Sequence, residues 1–420
     1  MTKNISLINS QLNSLDISSL ATPTAAYIHI PFCRRRCYYC DFPISVVGDK
    51  GKSTSTMVQD YLNAVINEIQ LTAPSSTPLK TIFFGGGTPS LLSAPQLEQI
   101  VKAIALKLGI ASDAEISIEI DPGTFDRQKL RGYLDLGVNR FSLGVQTFDE
   151  ELLKVCGRSH TLEDVMQSVE IIKQLNINNF SLDLISGLPH QTLDHCQSSL
   201  TQAIAIAPQH LSCYDLVLEP VTAFGKQYQP GKTPLPNDDT AAEMYRLTQH
   251  MLTGAGYEHY EISNYAQPGY QCRHNQVYWK NQSYFAFGMG AASYVDGQRF
   301  SRPRTRREYY AWLQAGAIIN APVISATDYL LETLMLGLRL AAGINLEQFL
   351  PANLKQIWSC LQPYYDQGWV EIIDVDGKKI NLTNFDLTKD LIATSKLRLS
   401  DPEGFLFSNT ILAALFEQLE

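Results

Sequence analysis

Short apolar segments alternate with helix-like segments from Tyr27 to residue 252, at a spacing of roughly 30 residues, the length of a βα unit. The strand-like segments are 26–30, 81–84, 115–120, 140–145, 179–185 and 210–216. The segments with apolar positions at helical spacing are 58–71, 94–108, 127–136, 162–175, 194–206 and 239–252. Because strands that alternate with helices form parallel sheets, the chain is predicted to be an α/β protein with a partial (β/α)6 barrel. Functional residues are then expected at the carboxyl ends of the strands.

The alternation ends near residue 256, and the remainder of the chain has a different character. Residues 257–327 are rich in aromatic side chains, and residues 328–420 have helical patterns at 329–340, 346–350, 353–366 and 408–418. A β-hairpin is predicted at 369–382, turned at Asp376 and Gly377. Helices with a hairpin suggest a DNA-binding winged helix, but the segment is not basic, so we interpret it as a lid or docking domain. The predicted divisions are a tail at 1–24, a barrel at 25–256, a connecting region at 257–327 and a mostly helical C-terminal domain at 328–420.

Composition narrows the class of protein. Hydrophobic residues make up 45% of the chain and charged residues 18%, as in an ordinary globular protein. The net charge of −9 argues against a nucleic-acid binder, which needs an excess of basic residues. The polar segment 1–24 lacks the apolar core of a signal peptide, and only three of the eight cysteines are clustered, unlike a secreted disulfide framework. We therefore expect a cytoplasmic protein.

Three cysteines, Cys33, Cys37 and Cys40, follow the first strand in the spacing C-x3-C-x2-C. Iron–sulfur clusters are normally held by four thiolates, so three thiolates leave one iron open to a small molecule. The alternatives are a zinc site completed by His29, or three unrelated buried thiols. Zinc ribbons use paired C-x2-C units, and the loop contains only one. The spacing therefore favours a [4Fe–4S] cluster with an open position.

Polar side chains follow several of the predicted strands. The sequence GGGTP at 85–89 ends the second strand, and its glycines would let a ligand approach the backbone closely. Glu119 and Asp183 lie within apolar runs, where a carboxylate is costly to bury unless it is paired. The alternatives are an ordinary turn for the glycines and a salt bridge to Arg140 or Arg158 for the carboxylates.

These motifs together resemble the radical S-adenosylmethionine (SAM) superfamily, and in particular its coproporphyrinogen oxidase-like branch. The resemblance is carried by YIHIPFC, GGGTPS, IEIDPGT, FSLGVQTFD, GRSH and LDLISGLP. It implies that SAM fills the open position of the cluster and that the cofactor carries the radical chemistry. The cofactor-binding residues that the resemblance implies are Tyr27, Tyr39, Gly86, Gly87, Thr88, Glu119, Gln146, Arg158 and Asp183.

Two functions compete within this branch, an oxygen-independent coproporphyrinogen III oxidase and a haem chaperone that delivers haem to acceptor proteins. Phe42 stands where the oxidase pattern has a fourth cysteine, and the segment before Tyr27 is short. The sequence RHNQVYW at Arg273–Trp279 resembles the H-N-x-x-Y-W motif of the HemW-type chaperones. The resemblance therefore favours a haem chaperone without oxidase activity. A radical SAM enzyme with another substrate, such as a methyltransferase, is the third alternative.

The chaperone interpretation assigns further residues. Imidazole suits iron, so His274 is the predicted haem ligand, with Cys272 as the softer candidate. Tyr278 and Trp279 would stack on the macrocycle. The alternative is that His274 makes an ordinary buried hydrogen bond. Cations expected to bind the haem propionates are Arg302, Arg304, Arg306 and Arg307.

Positive charge is also predicted to guide a protein partner. The residues Arg34, Arg35 and Arg36 lie within the cysteine loop, where they would attract an acidic flavodoxin- or ferredoxin-like electron donor. Alternatively, the three side chains are merely solvated. Peripheral membrane contact is left open by the sequence.

Overall fold

The structure is a computed structural model that describes residues 22–48, 54–381 and 393–419. Most of the predicted tail, and residue 382 of the predicted hairpin, lie outside these residues. The strands are β1 (Ala25–Ile30), β2 (Phe32–Cys33), β3 (Ser45–Val46), β4 (Leu79–Gly86), β5 (Ile110–Ile120), β6 (Arg140–Gln146), β7 (Phe180–Ser186), β8 (His210–Asp215), β9 (Glu258–Glu261), β10 (Asn264–Ala266), β11 (Phe285–Phe287), β12 (Ala292–Val295), β13 (Gln298–Ser301), β14 (Ile344–Asn345), β15 (Val370–Ile373) and β16 (Lys396–Leu399).

The helices of the described chain include the predicted ones, although 346–350 is a short 3-10 helix, and five more that were not predicted, at Glu150–Val155, Ala223–Gln227, Arg273–Trp279, Arg306–Gln314 and Glu403–Leu406. They are α1 (Thr54–Leu71), α2 (Ala94–Lys107), α3 (Arg127–Asp135), α4 (Glu150–Val155), α5 (Leu162–Gln174), α6 (Leu193–Ile206), α7 (Ala223–Gln227), α8 (Asp238–Gly254), α9 (Arg273–Trp279), α10 (Arg306–Gln314), α11 (Ala326–Gly337), α12 (Pro351–Asp366), α13 (Glu403–Leu406) and α14 (Ser408–Leu419). Short 3-10 helices lie at Pro89–Leu91 and Leu346–Gln348. No described helix combines the length and the apolar character that a membrane span requires.

The main sheet has nine strands in the order β11-β1-β4-β5-β6-β7-β8-β10-β9. The six predicted strands are its centre, and each pairs in parallel with the next one along the chain. This confirms the predicted α/β fold. The connecting region adds β11 in parallel beside β1, and it adds β10 and β9 as an antiparallel pair beyond β8.

Helix starts in the barrel have side-chain caps. Thr161 precedes α5 and its hydroxyl accepts from the Asp164 N–H, while the Asp164 carboxylate accepts from the Thr161 N–H. Thr192 and His195 form the same reciprocal pair at the start of α6. Such capping boxes satisfy two N–H groups that a helix leaves without partners, and they fix where each helix begins.

Side chains of the central strands alternate between an apolar outer face and a polar inner face. In β5, Ile116, Ile118 and Ile120 pack into the main hydrophobic core together with residues of the surrounding helices. Ser117 and Glu119, between them, line a cavity inside the barrel. Because successive residues of a strand point to opposite faces, this alternation buries the outer face against helices and leaves a polar interior.

The C-terminal region has its own hydrophobic core, which includes Trp358, Ile372 and Leu412. The predicted turn is present, since Gly377 has a φ of +79° and its N–H donates to the Asp374 carbonyl. The main partner of β15 is β16, however, and β14 completes a three-stranded antiparallel sheet. Among the described residues, the pairing across the turn is an isolated bridge between Ile373 and Lys379.

Candidate functional site

The cysteine loop leaves β1 at the carboxyl end of the strand, as the barrel prediction requires. Its two sides are joined by the parallel β2–β3 pair and by a hydrogen bond of 2.7 Å from the Ser45 N–H to the Pro31 carbonyl. The Tyr38 N–H donates to the Cys156 carbonyl at 3.0 Å and ties the loop to the far side of the barrel. Cys33, Cys37 and Cys40 are free thiols and half-buried.

His29 is not available as a fourth ligand for zinc in this arrangement. Its Nδ1 lies 3.0 Å from the Tyr27 hydroxyl, and its Nε2 lies 2.9 Å from the Pro43 carbonyl oxygen. Burial also lowers the pKa of this ring to about 4, so it is neutral and held by neutral partners. His29 therefore does not complete a Cys3His zinc site in this structure, and the cluster with one open iron remains the interpretation that the cysteine spacing favours.

The glycines at 85–87 let the cysteine loop lie directly against β4. The Gly87 and Thr88 N–H groups donate to the Ile30 and Phe32 carbonyls at 2.8 and 2.7 Å. A Cβ atom on Gly87 would lie 2.8 Å from the Phe32 carbonyl oxygen, and Gly86 has a φ of +112°. The Thr88 hydroxyl then lies 3.6 Å from the Cys33 sulfur. The glycines thus have a packing role that the ligand-binding interpretation did not foresee.

Arg158 connects the cysteine loop to the ends of β5 and β6. Its guanidinium is ion-paired with Asp121, and it donates to the Gly144 carbonyl at 3.1 Å and to the Tyr39 hydroxyl at 3.3 Å. A fourth contact, of 3.4 Å, reaches the Cys37 sulfur. Burial would raise the pKa of Asp121, but Arg158 together with His160 holds it below its usual value. The partner of Arg158 is therefore Asp121 rather than Glu119 or Asp183, and its predicted contact with SAM stays a prediction.

A cavity of about 320 Å³ occupies the barrel interior. It extends from Phe42 and Gly86, beside the cysteine loop, and its polar walls come from alternate residues of the strands. The serine, acidic and basic residues of these walls are Ser117, Glu119, Arg140, Ser142, Ser181, Asp183, His210 and Ser212. Gln146, at the end of β6, has a φ of +71° where the β6–β7 register shifts, and it does not line this cavity.

The side chains of Glu119 and Asp183 both face this cavity, and the pKa of each carboxyl is raised. Burial raises the pKa of Glu119 to about 8, against the effect of the 2.9 Å hydrogen bond that its carboxylate accepts from the Gly86 N–H, and nearby Asp183 adds a smaller upward contribution. Burial also raises the pKa of Asp183, although its carboxylate accepts from Ser142 at 2.9 Å. At neutral pH, Glu119 is therefore mostly protonated and can both donate and accept hydrogen bonds.

Helix α9, which carries RHNQVYW, closes the opposite end of the cavity. The Glu115 carboxylate, in the first half of β5, accepts from the Arg273 and His274 N–H groups at 3.2 and 3.0 Å. The helix therefore lies at the amino end of the strands, away from the cysteine loop. A carboxylate at a helix N-terminus is favourable because it complements the helix dipole.

His274 is fully buried with both ring nitrogens engaged. Nδ1 lies 2.8 Å from the Thr81 hydroxyl, Nε2 lies 2.8 Å from the Tyr278 hydroxyl, and the ring stacks on Phe83 at 5.3 Å between centroids. Burial lowers its pKa to about 3, so the imidazole is neutral. Cys272 is also buried, with its sulfur 3.7 Å from a Glu115 oxygen. Ligation of haem by either side chain stays a prediction.

A second cavity, of about 380 Å³, lies beside α9. Tyr278, Trp279 and Tyr284 give it aromatic walls, and Arg299 supplies positive charge. The sequence interpretation missed Arg299, which is paired with Glu332 at 2.8 Å.

Two of the four arginines that were expected to bind propionates, Arg302 and Arg304, have other partners. Arg302 is buried and paired with Glu68 at 2.7 Å, so it is part of the core. Arg304 donates to the Asp41 carbonyl at 2.6 Å, on the side of the cysteine loop. These two side chains are therefore separated from Tyr278 and Trp279, with which they were expected to share a ligand.

Comparisons with known proteins agree with the fold and the cysteine loop. Residues 27–203 match the model of the Radical SAM superfamily, and residues 324–376 match the HemN C-terminal domain. The structure of coproporphyrinogen III oxidase (HemN) from Escherichia coli, itself a radical SAM enzyme, is similar with a TM-score of 0.77. The superposition covers 97% of this chain and 93% of that one, at 21% identity, and therefore shows the fold alone. The barrel, the cysteine loop and the match to the Radical SAM model together define a radical SAM protein. This class of protein implies a [4Fe–4S] cluster and SAM.

Curated relatives specify the family further. The heme chaperone HemW of a Synechocystis species is 51% identical over 95% of this chain and 97% of its own length. HemW proteins of Bacillus subtilis and Escherichia coli are each 38% identical, over 77% and 78% of this chain and 86% and 85% of their own lengths. The chain belongs to the HemW family.

The raised pKa of Glu119 predicts a pH-dependent stability. Between about pH 4.5 and 8 the folded protein keeps a proton that the unfolded chain releases, so the free energy of unfolding should fall as the pH rises, by at most about 1.4 kcal/mol per pH unit. Glu119→Gln keeps an acceptor for the Gly86 N–H and removes the titration. Urea unfolding of the cluster-free protein from pH 5 to 8.5 should give a flatter profile for this variant. Glu98→Gln, at a half-exposed position outside the barrel interior, is the matched control, and parallel profiles for wild type and Glu119→Gln would contradict the prediction.

Proposed function

We propose that the protein is a haem chaperone that holds a [4Fe–4S] cluster and SAM at one end of its barrel and haem at the other, and passes the haem to acceptor proteins. The main support is the separation of two motifs. The cysteine loop lies at the carboxyl ends of the strands, while the H-N-x-x-Y-W helix closes their amino ends. A relative that is named a heme chaperone is 51% identical over 95% of this chain.

Cys33, Cys37 and Cys40 would bind the cluster as thiolates. Burial raises the pKa of Cys33 to about 12 and also raises that of Cys40, so the free thiols are protonated and metal binding must release protons. The cluster supplies one-electron reduction of SAM when it is bound. We expect a reducing, cytoplasmic compartment because thiolates and such a cluster are sensitive to oxidation.

SAM would lie between the cysteine loop and the polar cavity. In this proposal Gly86, Gly87 and Thr88 contact its methionyl end, and Glu119 hydrogen-bonds to the ribose hydroxyls. Tyr27, Tyr39, Gln146, Arg158 and Asp183 complete the site. Arg158 already stabilises Asp121, and its buried Nε–H has no partner among the described residues, so it keeps a free donor beside the loop.

Phe42 marks a difference from the oxidase pattern, which has a fourth cysteine at this position. This ring is 52% exposed and lies at the cysteine-loop end of the cavity, where it adds apolar surface but no thiol. The lack of a thiol at this position favours the chaperone over the oxidase.

The proposal is tested by reconstituting the protein with iron and sulfide without oxygen, and then adding haem. We expect about four irons per chain, because three thiolates with an open iron fit a [4Fe–4S] cluster. We also expect a Soret band with haem and no protoporphyrinogen from coproporphyrinogen, SAM and a reductant. Cys33→Ala should abolish the cluster, and Cys360→Ala, remote from the loop, is the control. Stoichiometric zinc, absence of a Soret band or turnover of coproporphyrinogen would contradict the proposal.

An acidic electron donor is proposed to dock at the arginines of the cysteine loop. Arg34 donates to the Gly123 carbonyl, and Arg36 donates to the Cys40 and Phe42 carbonyls, so both support the loop itself. Arg35 is exposed and makes only a long contact of 3.5 Å with the Arg158 carbonyl, among the described residues. It is therefore the side chain that can be changed with least effect on the loop.

Peripheral membrane contact stays a prediction.

Arg35→Gln should slow reduction of the cluster by a flavodoxin and should weaken the dependence of the rate on salt, because steering between opposite charges is screened by salt. Stopped-flow reduction at several salt concentrations is the measurement. Lys280→Gln removes the same charge at the other end of the barrel and should leave the rate unchanged. An equal effect of the two substitutions, or no effect of either, would show that Arg35 is merely solvated.

A further inference from the structure

Two tyrosines form the partition between the cavities. Tyr27 and Tyr278 line both the polar cavity inside the barrel and the aromatic cavity beside α9. Tyr278 is half-buried, and its ring makes edge-on contacts with His274 and Tyr284, at 5.1 and 4.7 Å between centroids. Movement of this one side chain would join the two spaces.

The same tyrosine blocks the imidazole nitrogen that faces it. The His274 ring is held on three sides, by the Thr81 hydroxyl at Nδ1, by stacking on Phe83, and by the anchoring of its backbone N–H to Glu115. The remaining nitrogen, Nε2, is covered by the Tyr278 hydroxyl at 2.8 Å. The histidine is therefore fixed, and the tyrosine is the side chain whose movement exposes Nε2.

We propose that Tyr278 is a gate for haem and that Thr81 is the positioning residue for the ligand behind it. The inference rests on the proposed function and adds two residues to it. Haem enters from the aromatic cavity, the Tyr278 ring turns away, and the iron takes the place of the tyrosine hydroxyl at His274 Nε2. Nδ1–H then donates to the Thr81 hydroxyl, which holds the ring in one orientation.

The size of the cavities supports a gate. At about 320 and 380 Å³, each lies near the lower end of the range of roughly 300–1,000 Å³ for drug-sized ligands. A tetrapyrrole is large for either space alone, and the two joined would suit it better. The aromatic cavity also contains the Arg299 guanidinium, which would exchange its Glu332 partner for a propionate, and the buried Trp279 indole N–H, which has no partner among the described residues.

No proton has to move when the gate opens. If Nδ1 carries the proton and donates to Thr81, Nε2 already presents its lone pair and accepts from the Tyr278 hydroxyl. Exchange of that hydroxyl for iron breaks one hydrogen bond and forms one coordinate bond, and the histidine stays neutral throughout. The second partner of a metal-binding histidine commonly sets its orientation and its basicity in this way.

The test compares haem binding by four variants of the full chain, through Soret titration and stopped flow. Tyr278→Phe keeps the ring and removes the competing hydroxyl, so haem should bind about twofold to tenfold more tightly, the value of one net hydrogen bond. Thr81→Val should weaken binding about tenfold to a hundredfold, as loss of an outer partner does at other metal sites. Thr81→Ser restores the hydroxyl and should restore the affinity.

Spectroscopy separates positioning from general damage to the fold. Thr81→Val should shift the Soret band and the reduction potential of bound haem, Thr81→Ser should reverse both shifts, and His274→Ala should abolish the wild-type spectrum. Weaker haem binding by Tyr278→Phe, or an unchanged Soret band and reduction potential in Thr81→Val, would overturn the inference. The proposed chaperone function would still hold in that case, provided that the wild-type protein binds haem. A wild-type protein that binds no haem would instead overturn the proposed function itself.

Discussion

The polar inner face of the six parallel strands is the constraint on which the rest of the structure depends. Apolar residues such as Ile118 and Leu182 face the helices, so the intervening Glu119 and Asp183 have no alternative but the barrel interior. Buried carboxylates are tolerated only with hydrogen bonds or as neutral acids. Both carboxyls meet this requirement, since the pKa of each is raised, Asp183 accepts from Ser142 and Glu119 accepts from the Gly86 N–H.

Each end of this interior is closed by a short, strongly anchored segment. At the carboxyl ends, Gly87 and Thr88 bind the backbone of the cysteine loop, and Arg158 joins that loop to Asp121. At the amino ends, Glu115 and Thr81 hold α9. Because Thr81 and Glu115 lie on β4 and β5, and Gly87, Thr88 and Asp121 directly follow the same two strands, these strands help to position both sites and keep them apart.

The sequence was sufficient for much of this arrangement. The six parallel strands were predicted because each is an apolar run followed by a helical pattern, and the cysteine loop was predicted because its spacing is local. Strands β9, β10 and β11 were missed because they are three or four residues long and owe their pairing to distant strands. Periodicity within so short a segment does not distinguish a strand from a loop.

Contacts between residues that are far apart in the sequence could not be predicted from the sequence. Nothing local to His274 indicates that Thr81 and Glu115 lie beside it, and the nearness of Arg302 in sequence suggested a partnership with Tyr278 that the core position of Arg302 prevents. Similarly, Asp121 rather than Glu119 or Asp183 is the partner of Arg158, because the strand ends bring them together. Such pairings depend on the register of the sheet.

The most direct test of two separate sites in one barrel is a haem titration of the protein in which Cys33, Cys37 and Cys40 are all changed to Ser. The account predicts a haem affinity within about twofold of that of cluster-free wild type and an identical Soret band, because the cysteines lie at the far end of the strands from His274. Loss of haem binding, or a Soret band displaced by the change of these thiols, would place haem at the cysteine loop and contradict the account.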